Sequence, residues 1–153
     1  MTTLVPVVEL AKALKTELDS ALGVDFQRVY APFMSAEDCA TDTYLIMANT
    51  EEISTKRRID ILKLSIVLAY QLKLPDASPD YRDPLKNTPF FDGCMEKVED
   101  IKALFREGGA LNEKSISNCV FQSISNSPIY RPDFLVDYQI FTSEIKLDFL
   151  SEE

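Results

Sequence analysis

The sequence contains no histidine. That removes the usual general base near neutral pH, the commonest metal ligand, and the nucleophile pairs that depend on imidazole. Glycine is scarce, at four residues. Neither a Walker-type nor a dinucleotide-binding glycine motif occurs, so little material exists for a phosphate cradle. Cysteine is limited to Cys39, Cys94 and Cys119. They are odd in number, far apart and without a CxxC, which points to reduced, buried thiols in a cytosolic setting. The opening MTTLVPVVELAK lacks a basic segment and is interrupted by Glu9, so no signal peptide is expected. No apolar run reaches the ~18 residues that a bilayer span requires.

What is present fits one α+β domain over residues 1–153. A chain of this length buries roughly 68–70% of its unfolded surface and needs no disulfide staples. Charged residues make up 27% and the net charge is −9. This balance argues against general nucleic-acid binding. It also means that copies of the chain repel one another unless a local feature compensates.

Periodicity supplies the elements. Val7, Leu10, Ala11, Leu14, Leu18, Ala21 and Leu22 fall on one stripe of a helix over 7–22, between Pro6 and Gly23. Residues 25–31 and 43–49 read as strands, with a loop over 33–42 and a polar connection over 50–54 that is alternatively a long hairpin tip. The most informative stretch is Thr55–Leu74. Lys56, Arg57 and Arg58 lead into a run in which Leu62, Leu64, Ile66, Leu68, Tyr70 and Leu72 alternate with mostly polar positions. Period two means one long strand with a buried face. Before Leu62 the parity differs, with Ile59 and Ile61 apolar. That fits a β-bulge near 61–62, or a strand half that faces a partner.

Residues 75–88 carry three prolines and read as loop. A second helix follows over 89–107, with Phe91, Met95, Val98, Ile101 or Lys102, and Phe105 on its inner face and Gly108-Gly109 at its end. After a polar loop come a short strand over 119–124, a turn over 125–133, and a helical turn over 134–139. The closing strand, 140–149, alternates Phe141, Ser143, Ile145, Leu147 and Phe149 with Thr142, Glu144, Lys146 and Asp148. One face is core and the other charged. The sum is a mixed, mainly antiparallel sheet of four to five strands with two amphipathic helices on one face.

The carboxylates form no recognisable site. Asp76, Asp80 and Asp83 lack the spacing of a calcium loop. Glu37, Asp38 and Asp42 have no base or nucleophile near in sequence, and Glu96, Glu99 and Asp100 share a helix face with Lys97 and Lys102. No catalytic, cofactor-binding or metal-binding residue is therefore expected, and the chain does not read as an enzyme. Lys56-Arg57-Arg58 is the one concentrated positive site. It is a strand end blunted against edge pairing, a contact for an acidic surface, or a phosphate site.

The order of elements resembles the phage tail terminator family, also called tail-completion or head–tail joining proteins. The resemblance rests on VVELAKALKTEL, on FQRVYAP, on the arginine-bearing turn and long strand TKRRIDILKLSIVLAYQL, on the helix FFDGCMEKVEDIKALF, and on IYRPDFLVDYQIF followed by FTSEIKLDFL. It covers nearly the whole chain as an order of elements. It implies a structural virion protein of the phage neck: a homohexameric ring, assembled in the host cytoplasm, that caps the tail tube and docks the head connector or stopper. DNA would pass through its lumen without specific binding, and no membrane is involved. In that setting Lys56, Arg57 and Arg58 meet acidic residues of the neighbouring copy, and the closing strand is a further candidate to extend a neighbour's sheet. A head-completion or stopper protein of the neck is the nearest alternative. A small acidic cytosolic adaptor for a basic protein is the alternative of another class.

Overall fold

The computed structural model describes residues 6–33, 35, 37–56, 59–74, 88–112 and 114–151, and the backbone alone at 6, 49–56, 59–62, 136–138 and 151. Eight elements follow in the order α1 (Pro6–Leu22), β1 (Phe26–Val29), β2 (Thr43–Lys56), β3 (Ile59–Lys73), α2 (Thr88–Ala103), β4 (Cys119–Ser125), α3 (Pro132–Tyr138) and β5 (Ile140–Ser151). The strands make one sheet in the order β1-β2-β3-β5-β4. β1 runs parallel to β2, and every other pair is antiparallel. This is the α+β architecture that the two periodicities predict.

Both long helices lie on one face. Leu10, Leu14 and Leu18 of α1, and Cys94, Val98 and Ile101 of α2, share a core with Leu64, Ile66, Leu68 and Tyr70 of β3 and with Phe141, Ile145, Leu147 and Phe149 of β5. α1 stops where Gly23 takes φ +67°, with its N–H bonded to the Asp19 carbonyl at 2.9 Å. The Asp19 carboxylate then receives the Phe26 N–H at 2.7 Å, which aims the chain into β1. Ala21, placed on the stripe by spacing alone, is exposed.

α2 ends four residues before the expected 107. Leu104 and Phe105 close tight turns onto Ile101 and Lys102, and this swings Phe105 against Phe121, with ring centroids 5.2 Å apart. Gly109 follows in a place no other residue fits, since a Cβ there would lie 2.4 Å from the Ala103 carbonyl oxygen.

A row of rings crosses the sheet. Phe26, Tyr44 and Tyr70 sit at successive spacings of 5.3 Å, and Phe141 lies 6.2 Å beyond Tyr70. The buried Tyr70 hydroxyl donates to Asp42 at 2.5 Å, which resolves the polar end of an apolar ring. Burial, then this bond, raises the Tyr70 pKa.

The second face is not simply wet. Leu45, Met47 and Ala69 form a small cluster there with Val29, Phe33 and Val67. Gln71 ties the β1–β2 crossover down onto this face. Its side-chain nitrogen donates to the Phe33 carbonyl at 2.8 Å and to Thr142 Oγ1 at 2.9 Å, and its oxygen accepts the Phe33 N–H at 2.8 Å. Gln71 and Thr142 are both fully buried, so leucine at position 71 would strand those partners. Gln71→Leu is expected to cost about 2–3 kcal/mol in a urea titration. A neutral result would mean that water replaces the amide.

Two local expectations are corrected. Residues 50–54 are not a connection, because β2 runs through them to Lys56. The bulge is not at 61–62 either. β3 is unbroken from Ile59, and the extra residue sits in β2 between Ala48 and Glu51. Its effect is to change parity: even positions of β2 oppose even positions of β3 before it, and odd ones after it, so that Ile53 stands opposite Leu62. The expected loop over 75–88 lies, up to residue 87, outside the described residues.

Candidate interface at the β2–β3 hairpin

β2 and β3 outrun the sheet that they belong to. The last described pair between β3 and β5 is Lys63 with Leu150. Beyond it, among the described residues, Leu62, Ile61, Asp60 and Ile59 pair only with Ile53, Ser54, Thr55 and Lys56. Four residues at ~3.3 Å each make a two-stranded arm roughly 13 Å long. On its other side β2 is covered by β1 only from Tyr44 to Met47. From Ala48 to Lys56, no strand lies outside β2 among the described residues.

Of the three predicted interface residues, Lys56 is the last residue of β2, opposite Ile59 at the start of β3. Arg57 and Arg58 lie outside the described residues. The cluster therefore falls between two strands, not ahead of a single one. At the base of the arm, Tyr30 follows β1 and is 75% exposed. Its hydroxyl is 3.5 Å from an Arg28 guanidinium nitrogen.

Several cations of the body are already matched. Lys15 meets Asp19 at 2.5 Å and Asp25 at 2.9 Å, and Lys114 meets Glu17 at 2.6 Å. Lys102 and Arg106 share Glu99, and Arg106 first, then Lys102, holds the Glu99 carboxyl below its ordinary range. Arg131 bridges Asp133 at 3.0 Å and Glu144 at 2.7 Å. It also lines a cavity of about 190 Å³ with Ser127, Pro128 and Glu144, where its charge is taken by those two carboxylates. By contrast, Asp92, Glu96 and Asp100 are exposed at a spacing of four along α2, which makes one acidic stripe.

The closing strand is not an edge. β5 pairs with β3 from Ile140 to Leu150 and with β4 from Lys146 to Ser151. Where β4 is absent, Arg131 N–H and the Asn126 amide bond to the Thr142 and Glu144 carbonyls. Flanked by β3 and β4, it does not offer the open edge that extending a neighbour's sheet requires, which corrects that expectation. The strand on that side of the sheet with an open outer edge is β4, a consequence of the β3-to-β4 crossover that periodicity does not reveal.

No group of three or more metal-ligating side chains occurs among the described residues. Among the same residues, no helix is long and apolar enough to cross a membrane. Asp76, Asp80 and Asp83 lie outside the described residues, and Glu37 and Asp38 are exposed.

The thiols are buried and form no disulfide, at 0%, 1% and 4% exposure for Cys39, Cys94 and Cys119. Burial pushes the Cys39 thiol up to about 11 and the Cys94 thiol up to about 12. With little thiolate and no access, Cys39 and Cys94 are inert, and burial alone shields Cys119. Ellman's reagent at pH 8 is expected to find essentially none in the native protein and all three in denaturant. Rapid native labelling of Cys39 or Cys94 would contradict the burial.

No family model matches the chain, and no curated protein matches it.

Proposed function

We propose that this chain is a structural component of the phage neck, a tail terminator whose copies form a closed ring on the tail tube and present a docking surface to the head connector. The observation that carries the reading is the arm. The end of this hairpin pairs with no third strand among the described residues, and Lys56-Arg57-Arg58, where its strands join, is the only run of three cations in an acidic chain. Such a feature suits contact with another copy.

A ring needs a heterologous interface, in which one face of each copy meets a different face of the next. The exposed stripe Asp92, Glu96 and Asp100 is a receptor of the right sign on a different element. Contact between the two offsets the repulsion of a chain at −9 where it matters, at the junction. Nothing in the arrangement requires a cofactor. DNA passing through the lumen would meet a mostly like-charged wall.

Native mass spectrometry and negative-stain microscopy test this. Closed rings, alone or on added tail tubes, are the expected result. A chain that stays monomeric in the presence of tail tubes and instead captures a basic protein would replace this reading with that of an acidic adaptor.

A further inference from the structure

From two of the open edges of the sheet, the longest on either side, we infer that copies of this chain join by strand pairing, the outer edge of β2 between Ala48 and Lys56 in one copy adding to the outer edge of β4 between Val120 and Ser125 in the next. The inference deepens the ring reading and rests on it for closure of the assembly.

Exposed strand edges template further pairing, and folded proteins guard them with charge, proline or cover. β4 is poorly guarded. Its sequence CVFQSIS has neither charge nor proline. Only its first residue is closed from outside, by the bridge between Cys119 and Ile116. From Val120 onward no strand lies outside it among the described residues. One protective device is present: a bulge between Phe121 and Ser123 leaves Gln122 out of the ladder with β5. That same bulge leaves the Gln122 backbone without a register partner inside its own sheet.

The complementary piece is in the same chain. The open edge of β2 lies at the opposite side of the strand order from β4, so one copy cannot pair its own two edges. Pairing them between copies is head-to-tail, the type of contact that closes a ring or grows a filament. The arm stands beyond the sheet, so its backbone reaches a second molecule ahead of the body. Charge favours the same occupant. β4 itself carries none, and a strand that leads into Lys56-Arg57-Arg58 approaches a molecule of net charge −9. Main-chain bonds then give affinity and the charges give register, as in other strand additions.

Hydrogen–deuterium exchange on the unmodified full chain, across a concentration series followed by native mass spectrometry, decides the matter. On association, amides in 48–56 and 120–125 should both slow by about tenfold or more, while α1 does not change. Gln122→Pro removes a main-chain donor at the bulge; it should keep the monomer's circular dichroism and weaken association by about tenfold. Should that variant unfold, exchange on the unmodified chain still decides. Rings that form without protection at these two edges would overturn strand pairing and leave the ring reading standing. Protected edges in open filaments would support strand pairing and remove the closed ring. A chain that never associates, at any concentration or on tail tubes, overturns both.

Discussion

Replacing Phe141 with alanine is expected to cost about 3–5 kcal/mol of folding free energy, at the upper end of what a buried phenylalanine contributes. The ring is 1% exposed and joins three parts of the molecule. It lies 6.2 Å from Tyr70 on β3, 6.4 Å from Phe91 on α2, and 5.6 Å from Tyr130, on which it stacks. Alanine therefore opens a cavity whose walls belong to separate elements, and none can close it alone. The loss is large beside a typical domain stability of about 5–15 kcal/mol. Tyr30→Ala is the internal control: at 75% exposure its effect on folding should stay within about 0.5 kcal/mol. Urea titrations of both variants make the comparison. A Phe141→Ala loss below about 1.5 kcal/mol would mean that the aromatic row is not a keystone of the core.

Reversing two charges, Arg57→Glu with Arg58→Glu, is expected to abolish ring formation while leaving the melting temperature nearly unchanged. The reasoning is local. Two adjacent arginines in sequence between β2 and β3 are residues of a type seldom fully buried, so folding should not depend on them. Association should, because the reversal places an anionic segment against an anionic neighbour. It also makes the whole chain more negative, which alone weakens association. Lys12→Glu with Lys97→Glu supplies the control, since both lysines are exposed and the change in net charge is the same. If that control assembles and the arm variant does not, the contact is specific to the arm. If the two behave alike at physiological salt, the cluster has no junction role, and repulsion in bulk explains the loss. Restoring association with Asp92→Lys and Glu96→Lys in the reversed chain would identify the stripe on α2 as the receptor.

The sequence by itself determined the local elements. A spacing of three and four fixes a helix stripe, and a spacing of two fixes the faces of a strand. So α1, the inner face of β3 from Leu64 to Tyr70, and every odd position of β5 from Phe141 to Phe149 were readable from apolar pattern alone. The buried thiols without a disulfide were readable from their number and spacing. Residues 50–54 were not, because TEEIS is polar at four of its five positions, so no apolar alternation marks it as strand. The bulge was placed in the wrong strand for a related reason: a change of parity marks a mismatch between two strands, and one strand's sequence does not say which of them holds the extra residue.

Only the tertiary structure decided who neighbours whom. Period two gives a strand's faces but not its edges, so the sequence left the closing strand free to be an outer one. Folding places it inside, between β3 and β4, and leaves β1, β4 and the far half of β2 with no strand outside them among the described residues. The bonds that fix this order, such as Gln71 to Thr142 and Ser65 to Asp148, join residues distant in the chain. No local pattern encodes them, because each depends on which strands the crossover has already brought side by side.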